Sequence, residues 1–139
     1  MKQVAKVIII DQDNQYLLLQ RSDHPVFPND PDLPGGTVET GESPMVALVR
    51  EVIEEAGIVL DSKTIKKIYS GTDFSTHDTE YYLYQVQVTA RPSVTISWEH
   101  ASYTWVNQTE FLERARIATD TYMQMVYAIM SKATFTERT

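Results

Sequence analysis

One stretch constrains the fold of this chain more than any other: Leu33 to Ile58, LPGGTVETGESPMVALVREVIEEAGI. It joins a double glycine, an acidic loop and a helix bounded at both ends. Ser43 can cap that helix by accepting a backbone N–H, and Pro44 has its φ preset for the first helical position. Gly57 stands where a helix can end on a left-handed residue. Between them Val46, Val49, Ile53 and Ala56 recur at spacings of 3, 4 and 3, which predicts one apolar stripe facing a core.

Glu51, Glu54 and Glu55 crowd the same helix. At about 100° per residue they fall within an arc of about 100°, on a face away from that stripe. Like charges so spaced destabilise an isolated helix, and two of these sit in its last turn, where the helix dipole disfavours anions. A solvated acidic face is one reading of E-x-x-E-E. A bound divalent cation is the other, since hard cations prefer carboxylate and carbonyl oxygens and Mg²⁺ recruits phosphate oxygens to complete its shell.

The rest of the chain frames this unit. Val4–Ile10 reads as a buried strand, Asp11–Asn14 as a turn, and Tyr16–Gln20 as a second strand closing an antiparallel hairpin. Arg21–Leu33 reads as a long loop with Pro25, Pro28 and Pro31 in it and Pro34 just beyond. Further strands are predicted at Ile65–Tyr69, Glu80–Thr89, Val94–Trp98 and Tyr103–Val106, and closing helices at Thr109–Ala115 and Asp120–Lys132. Tyr122, Met125, Val126, Ile129 and Met130 line one face of the last helix and read as core. The composition, 42 % apolar and 22 % charged, is that of a globular chain. The order of elements predicts an α+β fold in one domain, residues 1–139.

Charge and cysteine exclude some functions. A net charge of −7 disfavours a binder of long nucleic acid, whereas a small phosphorylated substrate can arrive with its own cation. There is no cysteine, so disulfides and thiolate metal sites are out, in keeping with a reducing, cytoplasmic setting. The apolar run Val7–Ile10 is too short for a signal peptide, and no stretch approaches the roughly 18–20 residues of a membrane span.

Spacing decides between the two readings of the acidic helix. Gly36, five residues, Glu42, seven residues, Arg50-Glu51-Val52, one residue, Glu54-Glu55, one residue, Gly57-Ile58 resembles the Nudix box at every defined position. Seven fixed and two aliphatic positions coincide by chance about once in 10⁹ placements. The resemblance covers 23 of 139 residues. It implies a Nudix-type α/β/α sandwich with a mixed β-sheet and a loop-helix-loop.

The resemblance also implies chemistry. The expected activity is Mg²⁺-dependent hydrolysis of a pyrophosphate bond in a nucleoside diphosphate linked to another moiety, with Mn²⁺ able to stand in. A MutT-like (deoxy)nucleoside triphosphate pyrophosphohydrolase leads; a nucleotide-sugar or ADP-ribose hydrolase, and a catalytically silent nucleotide sensor, are the alternatives. ADP-ribose-type members tend to carry a proline some fifteen residues beyond the box, and none occurs here between Pro44 and Pro92. Glu51, Glu54 and Glu55 would share the metal, joined by the Gly35 carbonyl and by Glu99, which precedes the aromatic pattern Tyr103-Thr104-Trp105-Val106. Glu51 is the expected base that deprotonates the attacking water, with Glu99 as the alternative. Arg50 would hold a carboxylate in place, Glu42 would brace loop against helix, and Gly36 and Gly57 would be structural. Arg21, Phe27, Leu33 and Gly36 are candidates for substrate contact, Arg21 on phosphate and Phe27 and Leu33 beside a base. His100 reads as a polar loop histidine, and His24 and His77 as incidental. The partner is a small nucleotide, with no long nucleic acid and no membrane; a homodimer fits the resemblance.

Overall fold

In a computed structural model the chain is described over residues 1–22, 30–74 and 78–138, with side chains to residue 132. Seven strands and three helices follow in order: β1 (Lys2–Ile10), β2 (Tyr16–Arg21), β3 (Pro31–Asp32), β4 (Gly35–Thr37), α1 (Pro44–Ala56), β5 (Lys66–Gly71), β6 (Thr79–Gln87), β7 (His100–Val106), α2 (Gln108–Ile117) and α3 (Thr121–Arg138). The sheet is mixed. β1 runs parallel to β6 along its whole length, and the other pairings are antiparallel.

The predicted hairpin forms only at its turn. β1 and β2 pair at Ile10 and Tyr16, after which each takes another neighbour. β4 pairs with β1 (Lys6 opposite Gly35), and β3 pairs with β2 (Leu19 opposite Asp32). The turn connecting β3 to β4 thus fills the gap where the two long strands part. Within the predicted loop, Asp30 onward is ordered by this pairing; Pro25, Phe27, Pro28 and His24 lie outside the described residues, as does His77.

Alternation along the strands feeds two cores, one on each face of the sheet. Ala5, Val7, Ile9, Leu17, Leu19, Tyr84 and Val86 pack with Leu48, Val52 and Ala56 of α1. Ile8, Ile10, Tyr16, Leu18 and Leu83 pack with Phe111, Ala115, Tyr122, Met123, Met125 and Val126 of α2 and α3. Helices on both faces of a mixed sheet are the expected α/β/α sandwich. The apolar face predicted for α3 is buried as read, with Ile129 partly covered. No helix among the described residues is long and apolar enough to cross a membrane.

Two expectations need correction. The buried face of α1 is not the Val46–Val49–Ile53 stripe. Leu48, Val52 and Ala56 face the core, while Val46 and Ile53 are exposed. Valine, leucine and alanine surround most of this helix, so spacing alone fits two stripes. The carboxylates therefore do not share one solvent face, because Glu55 lies on the buried one. The predicted strand at Val94–Trp98 is also missing. Its backbone serves α1 instead: Thr95 and Ser97 N–H groups donate to the carbonyls of Ala56 and Glu55 at 2.9 and 3.1 Å. Carbonyls of a last helical turn have no partner within the helix, and this strip satisfies two of them.

Candidate active site

The caps of α1 form as the sequence predicts. Ser43 Oγ accepts the Val46 N–H at 3.2 Å, Pro44 opens the helix, and Gly57 closes it at φ 68°. This fixes where the last turn ends, and the last turn carries Glu54 and Glu55. Glu55 points inward and is 5 % exposed. One oxygen accepts the Gly35 N–H at 3.1 Å. Gly35 itself is forced: at φ 130° it lies against β1, and a Cβ there would stand 2.1 Å from the Ala5 carbonyl oxygen. Gly36 answers a different need. A Cβ on it would come within 2.6 Å of the Glu51 carboxylate, so glycine is what lets Glu51 lie along β4.

Arg50 gathers the acidic groups of the segment. It donates to Glu42 from Nε (2.7 Å) and Nη2 (2.9 Å), to Glu51 from Nη1 (2.9 Å), to Glu54 from the same Nη1 (3.2 Å) and to the Thr37 carbonyl (3.2 Å). Its bidentate grip holds the Glu42 carboxyl down to about 2, and Glu42 in turn accepts the Glu39 N–H at 3.0 Å. Glu54 is exposed over 56 % of its side chain and meets Glu51 at Arg50 rather than lining the cleft.

A cleft of about 680 Å³ opens between the parted strands, within the size range of small-molecule sites. Glu51, Glu55, Glu99, Gly35, Gly36 and Arg21 all line it. Leu33 does not. Its side chain is fully buried among α2 and α3 residues, because an apolar residue beside β3 gains more from the core than from the cleft. Arg21 is neither exposed nor turned to an empty phosphate site. It pairs with Asp120 at 2.9 Å and lies 3.6 Å from Asp32.

The floor of the cleft escaped the sequence reading. Lys6, buried in the middle of β1, donates to Asp32 at 3.1 Å and to the carbonyls of Leu33 (3.1 Å) and Gly35 (3.3 Å). Asp32 also contacts His100 Nε2 at 3.0 Å and accepts the Tyr122 hydroxyl. His100 is buried, not a loop-surface histidine, because β7 begins three residues earlier than predicted and carries it inward. Tyr122 packs in the core as read, but its hydroxyl belongs to this network. Burial alone would raise the Asp32 carboxyl; Lys6, His100 and Arg21 overcome it and hold it well below the usual carboxylate range. Burial would likewise lower the Lys6 ammonium, and Asp32 and Glu55 hold it above its usual value instead. A signal was present: Lys6 interrupts a run of Val and Ile, and a lysine inside such a strand is almost never buried unless paired.

Glu55 is the unbalanced member. Burial pushes its carboxyl up to about 7, the nearby Asp32 and Glu51 charges push the same way, and Lys6 and His100 only partly offset them. Added positive charge beside Glu55 would restore its charged form. Asp32, Glu55 and His100 also offer ligand atoms within 4.8 Å of one another. A cation placed on Asp32, however, would lie against the buried Lys6 ammonium. Glu51, Glu55 and Glu99 line the cleft with carboxylate oxygens, the donor type a hard divalent ion prefers.

Comparison with known proteins agrees with this picture. The NUDIX domain family model matches residues 1–125. A putative 8-oxo-dGTP diphosphatase from Bacillus subtilis is 33 % identical over 105 residues, covering 76 % of this chain and 66 % of that protein. An ADP-ribose pyrophosphatase from Methanocaldococcus jannaschii is 43 % identical over 65 residues, 47 % of this chain and 38 % of its own length. The chain thus spans under two thirds of these relatives. Among solved structures, a MutT protein from Methanosarcina mazei superposes with a TM-score of 0.70 at 22 % identity, covering 95 % of this chain and 94 % of that one.

Proposed function

This chain belongs to the NUDIX family, and from that premise we propose that it hydrolyses a pyrophosphate bond in a nucleoside diphosphate derivative, with a (deoxy)nucleoside triphosphate as the leading substrate. The observation that carries the reading is the convergence of Glu51, Glu55 and Glu99 on one cleft, with Glu55 buried and short of positive charge.

Glu51 and Glu55 would hold the metal, Mg²⁺ or Mn²⁺; the Gly35 carbonyl already accepts from Lys6 at 3.3 Å, and Glu54 pairs with Arg50 outside the cleft lining. A bound divalent cation acidifies water and neutralises charge on phosphoryl oxygens. The chain's own residues do the positioning. Arg50 fixes Glu51 and Glu42, and Gly35 N–H fixes Glu55. Glu99 is exposed on the cleft and makes no ion pair with a described residue, so it is the carboxylate freest to take a proton from water. Glu51, the other candidate base, has one oxygen committed to Arg50.

The Methanocaldococcus relative, an ADP-ribose pyrophosphatase, supports a second reading, hydrolysis of ADP-ribose or a nucleotide sugar. A silent nucleotide sensor fits less well, because every glutamate of the box is in place. The test is product release with Mg²⁺ across nucleoside triphosphates, nucleotide sugars and dinucleotides, with the products separated. Pyrophosphate and a nucleoside monophosphate from a triphosphate support the leading reading; turnover of ADP-ribose alone supports the second; no turnover of any refutes both.

A further inference from the structure

The turn that carries Glu99 is tied down on two sides. On one, Thr95 and Ser97 donate to the end of α1. On the other, Ser22 donates to the Glu99 carbonyl from its N–H (3.3 Å) and its hydroxyl (3.1 Å). The His100 N–H closes the turn on the Ser97 carbonyl at 3.2 Å. Within this fixed backbone the Trp98 indole is 88 % exposed and lines the cleft.

An indole left in water adds nothing to the core, and its apolar face gains free energy when a ligand covers it. The other cleft-lining aromatics are engaged. Tyr81 and Tyr122 stack on each other at 5.9 Å with planes 17° apart, and the Tyr122 hydroxyl serves Asp32. Among the described residues Trp98 is therefore the cleft's uncovered aromatic face.

Resting on the hydrolase reading, we propose that the substrate's nucleobase stacks on the exposed face of Trp98, next to Glu99 at the rim of the cleft. A flat ring accepts any base, so Trp98 contributes affinity without choosing among them. Because the turn is held in place before the ligand arrives, binding requires little ordering of it.

Two measurements on the full chain with Mg²⁺ test this. First, AMP, GMP, CMP, UMP and ribose 5-phosphate are titrated while tryptophan emission is followed in wild type and Trp98→Phe. At least one nucleotide should quench the wild type and leave the variant nearly unaffected, and ribose 5-phosphate should be silent in both. Second, Mg²⁺-dependent hydrolysis of the nucleoside triphosphate that carries the best-binding base is compared across variants. Trp98→Ala should raise KM about tenfold, equivalent to about 1.4 kcal/mol, with kcat unchanged as expected for lost uniform binding. Trp98→Phe should restore most of the affinity, and the melting temperature should not move. A wild-type KM in Trp98→Ala, or equal quenching by ribose 5-phosphate, overturns the proposal and leaves the hydrolase reading standing. A wild type that turns over no nucleotide refutes that reading instead, and the quenching titration then decides the role of Trp98.

Discussion

The Glu55 carboxylate accepts the backbone N–H of Gly35 at 3.1 Å, and this bond ties the last turn of α1 to β4. A glutamine at position 55 keeps an oxygen for that N–H and nearly the same volume, but it cannot bind a hard cation as a carboxylate does. Near pH 4.5, where the buried carboxyl is still protonated, Glu55→Gln is expected to change stability by less than about 1 kcal/mol, and at neutral pH to lower Mg²⁺-dependent turnover by at least about 100-fold. Denaturant midpoints and kcat, measured on the same preparation, check both halves. A variant with the wild-type rate would show that Glu55 does not hold the metal.

Glu55 also sets a pH dependence. Its carboxyl in the folded chain lies near 7, above the ordinary value of 4.5, chiefly because it is buried. Between those values the folded chain keeps a proton that the unfolded chain has released. The stability contributed by the neutral carboxyl is complete below 4.5 and is lost as pH rises through 7. Metal-free protein is therefore expected to weaken across that window, with a slope approaching about 1.4 kcal/mol per pH unit, and Glu55→Gln to lack that slope. Mg²⁺ affinity should run the other way, rising with pH as the carboxylate becomes available. Chelator-treated wild type and variant, unfolded at several pH values across the window, provide the comparison. Parallel stability curves would show that Glu55 is not the titrating group.

Local signals carried the loop-helix unit, and long-range pairing decided what they could not. Ser43, Pro44 and Gly57 act within a few residues of themselves, so the bounds of α1 were legible in the sequence. So was the mixed architecture, because strand alternation feeds two cores. The direction α1 faces was not, since Val46 and Val52 look alike until the sheet they pack against is known. The floor of the cleft was still less visible. Lys6, Asp32, His100 and Tyr122 come from four separate elements and meet only because β3 and β4 enter the gap between β1 and β2. Of the predicted substrate contacts, Leu33 went to the core for the same reason.

Arg50 is the point through which Glu42, Glu51, Glu54 and the Thr37 carbonyl are held together. Alanine there leaves Glu42 without the cation that keeps its carboxyl near 2, and leaves Glu51 free to turn. Arg50→Ala is expected to lower kcat by about tenfold or more, as loss of a group that orients metal ligands does. Arg50→Lys should recover only part of this, because a point charge cannot reproduce a planar, bidentate grip. Hydrogen exchange should speed up at the Glu39 N–H, which Glu42 accepts. An unchanged kcat in the alanine variant would reduce Arg50 to a surface charge.

The two adjacent glycines are expected to fail in different ways. Gly35→Ala forces a side chain onto a φ of 130° and drives its Cβ to 2.1 Å from the Ala5 carbonyl oxygen, which belongs to the central strand and cannot retreat. That substitution should destabilise the fold by about 2–4 kcal/mol. Gly36→Ala collides only with the end of the Glu51 side chain, which can swing away. Its stability should fall by less than about 1 kcal/mol, yet turnover should drop because Glu51 no longer lies along β4. Urea unfolding and kcat for the two variants separate these outcomes. If Gly36→Ala keeps both wild-type stability and wild-type rate, the position of Glu51 beside Gly36 does not matter to the reaction.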